Sequence, residues 1–316
     1  QVQKLKSNGT FETDFYVPRS GKTIEIVAYD TKGNKASKFL KLERSNIQHA
    51  SGPSFDALNP SVKRVKSNPN ALALIIGVAD YAKTTATALY ADKDAQQFYD
   101  YATMKLGIPA RNVKELVNNK ADRVEIGLAI QDWIARSTKQ GKTDIYIFFA
   151  GHGLASDDGE NLFLLPQDGD SLLLEDTAVS RTSMFKQISK LNPNSVTIFF
   201  DTCYSGQTRS EETLIAGLRP VRLVVEEQDI PNNFTIFSAS SLTQTSGSIE
   251  QAKHGIFSYY LMKGLEGNAD SNQDKKITNG ELIAYLKQNV SEEAFMNNRQ
   301  QEPMFSGNPN RVLINY

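Results

Sequence analysis

Residues 71–78, Ala-Leu-Ala-Leu-Ile-Ile-Gly-Val, are apolar without a break. A half-exposed strand would interrupt such a run at every second residue, and an amphipathic helix at a period of 3.6. Residues 144–150 and 195–200 read the same way, and 233–239 form a fourth candidate. Strands hidden on both faces belong to parallel sheets covered by helices. Helical patterns fill the intervals over 92–105, over 121–138 through Val124, Ile126, Leu128, Ile130, Trp133 and Ile134, and over 181–190 behind Ser180 as N-cap. The alternation predicts an α/β sandwich with a mostly parallel central sheet. In such sheets functional groups gather at the carboxyl ends of the strands.

The first 70 residues follow another rule. Residues 10–17 and 22–29 alternate apolar and polar positions, and a third strand is expected around 37–42. Pro18-Arg19-Ser20-Gly21 and Asp30-Thr31-Lys32-Gly33-Asn34 are turn chemistry. A complete immunoglobulin-like sandwich needs about 100 residues, so residues 1–43 read as a small, incomplete β module. Residues 44–70, with Ser45, Ser51, Gly52, Pro53, Pro60, Ser67 and Pro69, read as a linker. Its Lys63-Arg64-Val65-Lys66 cluster reads as a solvated face. Residues 71–316 make the second domain, as expected for a 316-residue chain at about 150 residues per domain.

Charge and cysteine usage narrow the function. Residues 1–70 hold 12 Lys/Arg and 6 Asp/Glu, a net of +6; the whole chain carries −1, so the remainder carries −7. A general nucleic-acid binder needs a basic surplus, which is missing. One cysteine excludes a disulfide framework and a Cys-rich metal site. No run of 18 apolar residues is present to span a membrane, and the first residues are neither a signal peptide nor an initiating Met. The chain is therefore expected to be trimmed, with its compartment left open, and to act as a monomer.

Two of the buried runs end unusually. One leads into Ala150-Gly151-His152-Gly153, the other into Asp201-Thr202-Cys203-Tyr204-Ser205-Gly206. Parallel neighbours would bring His152 and the only cysteine to one sheet edge. Glycines there let the chain turn sharply and leave amide groups open. An imidazole can take the thiol proton, and amides can bind an oxyanion, as acyl transfer from a peptide bond requires. The plainer alternative is a buried small thiol and an ordinary polar histidine. His49 and His254 read as structural.

Together these motifs resemble the caspase-like cysteine peptidases, most closely the bacterial metacaspase type. The resemblance covers residues 71–316. It rests on residues 71–77, on Leu89-Tyr90-Ala91-Asp92-Lys93-Asp94-Ala95, on the His152 and Cys203 motifs and on His254-Gly255-Ile256-Phe257-Ser258-Tyr259-Tyr260. His152 precedes Cys203 by 51 residues, against about 50 in caspases. Asp-Thr-Cys-Tyr-Ser-Gly is similar to the metacaspase form rather than the Gln-Ala-Cys of true caspases. The resemblance implies Cys203 as nucleophile, His152 as general acid and base, and the N–H groups of Gly153 and Cys203 as oxyanion hole. It also implies that Asp94 and Asp201 line the pocket for the residue before the cut. Carboxylates there suit Arg or Lys and repel Asp. The substrates implied are proteins or peptides with a basic residue at the cut. For Asp94 and Asp201 the plainer reading is a solvated helix charge and a turn cap.

Two loops add expectations. Residues 270–281 fit much of the EF-hand spacing, with Asp270, Asn272, Asp274, the Lys276 carbonyl, Thr278 and Glu281 as oxygen ligands for Ca²⁺. Lys275 stands where the motif has Gly, so the alternative is an Asx-rich turn capping the helix after Thr278. The chemistry itself requires no cofactor. Residues 207–232 carry Arg209, Arg219 and Arg222, natural self-processing sites for an Arg-specific enzyme, or else a plain surface loop. The rival functions are a catalytically silent caspase-like scaffold and a Ca²⁺-responsive interaction module.

Overall fold

The uninterrupted apolar runs form the middle of a sheet. The computed structural model describes residues 10, 22–30, 32–42, 55–156, 158–202, 204, 230–241, 244 and 246–316. The chain divides into two units, residues 1–54 and 55–316.

In the first unit β1 (Lys22–Tyr29) and β2 (Lys35–Leu42) pair antiparallel, from Lys22 opposite Leu42 to Tyr29 opposite Lys35. The Asp30 carboxylate closes the turn by accepting the Lys32 and Asn34 N–H groups, each at 2.8 Å. These bonds, led by that of the Asn34 side chain, hold the Asp30 carboxyl below its usual range. The strand expected over residues 11–17 lies outside the described residues.

The second unit runs β3 (Ala71–Gly77), α1 (Ala91–Met104), β4 (Val113–Val117), α2 (Arg123–Leu128), β5 (Asp144–Ala150), β6 (Gly153–Ala155), β7 (Leu162–Leu164), β8 (Val179–Ser180) and α3 (Arg181–Lys190). It continues through β9 (Ser195–Asp201), β10 (Phe234–Ser238), β11 (Ser248–Ile249), β12 (His254–Gly255), α4 (Ile256–Lys263), β13 (Lys276–Thr278), α5 (Asn279–Met296), β14 (Met304–Ser306) and β15 (Val312–Asn315). Six strands form the central sheet in the order β14-β10-β9-β5-β3-β4. All neighbours are parallel except β14, which runs antiparallel to β10. The expected α/β architecture is therefore present.

Every residue of β3 and β9 is buried, which is why neither carries polar alternation. Phe98 of α1 stacks on Phe148 of β5 with ring centroids 4.4 Å apart, and Phe199 of β9 stacks on Phe237 of β10 at 5.4 Å. Each such ring contributes about 1.5–3 kcal/mol through burial. Helix α1 approaches β3 so closely that a Cβ on Gly77 would lie 2.5 Å from the Ala91 carbonyl oxygen. Side-chain caps start α2 and α3. Asp122 accepts the Glu125 N–H at 2.7 Å, and Ser180 accepts that of Ser183 at 3.2 Å. The helix expected over 121–138 is realised as α2 continued by a π-helical stretch, Ala129–Ile134.

The second unit begins at Phe55, so residues 55–70 are part of it and not a linker. Phe55 meets Tyr259 edge-on at 5.5 Å, and the Tyr259 hydroxyl donates to the Asp56 carbonyl at 2.9 Å. The Asn59 N–H donates to Glu266 at 2.6 Å, and that of Asn68 to the Gly107 carbonyl at 2.8 Å. Val65 packs on the core, so the basic cluster is only partly a solvated face. Among the described residues no helix is long and apolar enough to cross a membrane.

Candidate active site

Parallel pairing of β5 with β9 sets Ala150 directly opposite Asp201, the last residue of β9. The two motif-bearing strands therefore end side by side. His152 follows two residues later and is 4% exposed. Its backbone is fully committed: its N–H donates to the Tyr81 hydroxyl at 2.6 Å, and its carbonyl accepts the Leu165 N–H at 3.0 Å. The Tyr81 hydroxyl donates in turn to the Val78 carbonyl at 3.1 Å. The Tyr81 ring stacks on the imidazole at 4.7 Å and 23°.

His152 Nε2 lies 3.2 Å from the Ala86 carbonyl oxygen. A carbonyl only accepts, so Nε2 carries the proton in the neutral ring and Nδ1 is the basic nitrogen. The ring is thus held in one tautomer and orientation.

Cys203 lies outside the described residues, as do Arg209, Arg219 and Arg222. Its chain neighbours are described. A Cβ on Gly153 would stand 2.6 Å from Thr202 Oγ1 and 2.7 Å from the Tyr204 ring. The residue after His152 therefore packs directly against both residues that flank Cys203, and only glycine leaves room. Arg181 lies behind this edge, with its guanidinium 4.6 Å from the Phe200 ring and 5.3 Å from that of Tyr204. Nothing in the sequence marks Arg181 beyond a helix start.

Asp94 and Asp201 are both fully buried, so neither is a solvated charge. Asp94, in the first turn of α1, benefits from the positive end of that helix. Its Oδ1 accepts from His254 Nδ1 at 2.8 Å, and its two oxygens accept from the Gly255 N–H at 3.1 and 3.3 Å. Asp201 Oδ2 accepts from the Ser258 hydroxyl at 2.6 Å and the Ser258 N–H at 3.3 Å. His254, read as merely structural, is the partner of a candidate pocket acid. Asp94 and His254 lie 160 residues apart, and no local pattern links them.

The loop at 270–281 is far more self-contained. Asp270 Oδ1 accepts the Asp274 N–H at 3.2 Å and Oδ2 that of Lys275 at 3.1 Å. Asn272 accepts from Asp274 N–H at 2.9 Å, and Asp274 accepts from Lys276 N–H at 2.9 Å. Lys275 makes the left-handed turn at φ +66° where the motif has Gly. Lys276 pairs with Asn315, and Ile277 with Ile314. Thr278 caps α5, and Glu281 Oε2 completes the box by accepting the Thr278 N–H at 2.9 Å. These bonds hold the Glu281 carboxyl below its usual range against the opposing effect of burial. Among the described residues no three His, Cys, Asp or Glu side chains stand close enough to hold a metal ion.

Comparison with known proteins agrees with this fold. No curated protein sequence matches the chain. Among solved structures, the crystal structure of a protein from Geobacter sulfurreducens is similar in fold. It is 16% identical, with a TM-score of 0.54, over 78% of this chain and 97% of that one. The family model for the caspase domain matches residues 70–314. The chain belongs to the caspase-domain family.

Proposed function

We propose that this chain is a cysteine endopeptidase in which Cys203 and His152 form the catalytic dyad and cleavage follows Arg or Lys. The observation that carries the reading is the pinned imidazole of His152 beside a glycine packed against Thr202 and Tyr204. In this scheme His152 Nδ1 takes the Cys203 thiol proton, and the thiolate attacks the scissile carbonyl carbon. The carbonyl oxygen becomes an oxyanion facing the N–H groups of Gly153 and Cys203. As the C–N bond breaks, the imidazolium gives its proton to the leaving amine and an acyl-enzyme remains. His152 then takes a proton from water, whose oxygen displaces the thiolate. The carboxylates of Asp94 and Asp201 are the reason to expect a basic residue before the cut, as in the metacaspase type.

The reading extends to self-processing at Arg209, Arg219 or Arg222, favoured by the high effective concentration of a loop near its own site. It extends also to Ca²⁺ at 270–281, for which the oxygen spacing and the turn at Lys275 are the support. Glu281 must leave the Thr278 cap to offer both oxygens to the ion. Calorimetry with Ca²⁺ up to millimolar concentration, on the wild type and on Asp270→Ala with Glu281→Ala, tests that part.

The main test is fluorophore release from peptides ending in Arg, Lys or Asp. Cys203→Ala and His152→Ala should each cut turnover at least about a hundredfold, since acid–base assistance contributes roughly 10²–10⁴. A wild type with no turnover on any of them supports the silent-scaffold reading instead. Preference for Asp overturns the acidic pocket.

A further inference from the structure

Two fully buried acids from different parts of the fold, Asp94 on α1 and Asp201 at the end of β9, are held by one five-residue segment. That segment, residues 254–258, is β12 and the first turn of α4. His254 and Gly255 donate to Asp94, at 2.8 Å from the ring and 3.1 Å from the backbone. Ser258 donates to Asp201 from its hydroxyl and its N–H. The direction of each bond is fixed by chemistry. A carboxylate accepts, so His254 Nδ1 carries a proton and the Ser258 hydroxyl points its hydrogen at Asp201.

A buried carboxylate stays ionised only if donors replace its lost water. Helix N-termini supply such donors, because their first N–H groups lack partners within the helix. Ser258 is the third residue of α4, where one of those groups lies. Both acids thus accept hydrogen bonds from groups within four residues of one another. Neither can rotate without breaking bonds to that segment.

We propose that residues 254–258 are a specificity-determining clamp, with His254 and Ser258 as positioning residues. The clamp holds Asp94 and Asp201 in register with each other so that a single guanidinium or ammonium group meets both. It rests on the reading of these two acids as the pocket for the basic side chain. Its work is to orient charge, so its loss acts on recognition of the basic residue and not on the acyl-transfer chemistry. Ser258 forms its two bonds to Asp201 with one side chain and one amide, so Ser258→Ala removes the 2.6 Å bond and leaves the amide. His254→Asn keeps an N–H donor in nearly the same place, whereas His254→Phe keeps the ring and loses the donor.

The experiment compares kcat/KM on two peptides identical except for Arg or citrulline before the cut. Citrulline keeps the shape of Arg without its charge. Agmatine, a free guanidinium, reads the same pocket by competitive inhibition without turnover. Ser258→Ala and His254→Phe should lower kcat/KM on the Arg peptide about tenfold, the loss of one well-placed charged contact, and raise the agmatine Ki in step. Citrulline turnover should stay within about twofold of wild type, and His254→Asn should recover most of the Arg preference. Thermal unfolding of each variant reports the fold; if His254→Phe does not fold, Ser258→Ala with agmatine carries the test. An unchanged Arg preference and agmatine Ki in the folded variants overturn the clamp and leave the pocket standing. Equal losses on both peptides also overturn it, since the segment then serves the chemistry. A wild type indifferent to charge before the cut removes the pocket, and the clamp with it.

Discussion

Lys105, the residue after α1, offers a test of the fold that depends on no assumption about activity. It has no exposed surface, and its ammonium lies 3.4 Å from the Lys63 carbonyl and 5.9 Å from the Tyr316 ring centroid. Burial pushes its pKa from 10.5 down to about 8, with Lys63 adding repulsion and Glu266 opposing. At about 1.4 kcal/mol per pH unit, keeping this lysine charged costs the folded state about 3 kcal/mol relative to the unfolded chain. Below about pH 8 both states are protonated and the whole cost stands. Between about pH 8 and 10.5 the folded state has released the proton that the unfolded chain still binds. Unfolding then takes up a proton, and stability rises with pH. Met fills nearly the same space without a charge. Lys105→Met should therefore stabilise the chain at pH 7 by about 1–3 kcal/mol, after subtracting about 0.5–1 kcal/mol for the lost ammonium–ring attraction. The gain should fall by about 2 kcal/mol between pH 7 and pH 10. Urea unfolding of wild type and variant at several pH values measures this, because the difference cancels every other titrating group. A variant less stable than wild type at pH 7, or a gain that does not shrink by pH 10, refutes the reasoning.

Further outcomes follow from single contacts. Tyr81→Phe removes the hydroxyl between His152 N–H and the Val78 carbonyl but keeps the stacked ring; it should lower kcat several-fold with little change in KM and cost about 1–3 kcal/mol of stability, read by steady-state kinetics and thermal unfolding. Gly153→Ala places a methyl 2.6 Å from Thr202 Oγ1, so turnover should fall at least about a hundredfold through displacement of the oxyanion site, while circular dichroism stays native. Thr278→Ala opens the capping box at α5 and should cost about 1 kcal/mol in urea unfolding, with Thr278→Ser restoring most of it.

The layered sheet was legible because burial on both faces leaves a mark on each strand by itself: residues 71–77 and 195–201 need no partner to announce their environment. Caps are equally local, so Ser180 stands where the sequence placed it. Elements at the border of the sheet escaped notice. β4, Val-Lys-Glu-Leu-Val, is an edge strand with only Leu116 buried, and its charges mask the pattern. Residues 55–70 escaped for another reason. Phe55, Leu58 and Val65 are too irregularly spaced to show a period, and what fixes them, such as Tyr259 and Glu266, lies about 200 residues downstream.

At the candidate site the divide falls between the side chains proposed to act and the groups that hold them. His152 and Cys203 could be picked out because their residue types are rare in this chain and sit at strand ends. Their supports could not be, for two separable reasons. The acids Asp94 and Asp201 are tied to His254, Gly255 and Ser258 across 160, 161 and 57 residues, and only the packing of α1 and α4 against the sheet brings them together. The imidazole of His152 is oriented by the carbonyl of Ala86, and Tyr81 is anchored on that of Val78. A backbone acceptor is offered by any residue type, so it leaves no trace in the sequence; what it demands is a chain path, set here by the turn between β3 and α1. The orientation of His152 is thus encoded in the path of the loop between β3 and α1, together with the Tyr81 side chain that the loop carries. Apart from Tyr81, whose side chain touches His152 directly, substitutions there that respect the path should be silent, while those that move it act on His152 from a distance.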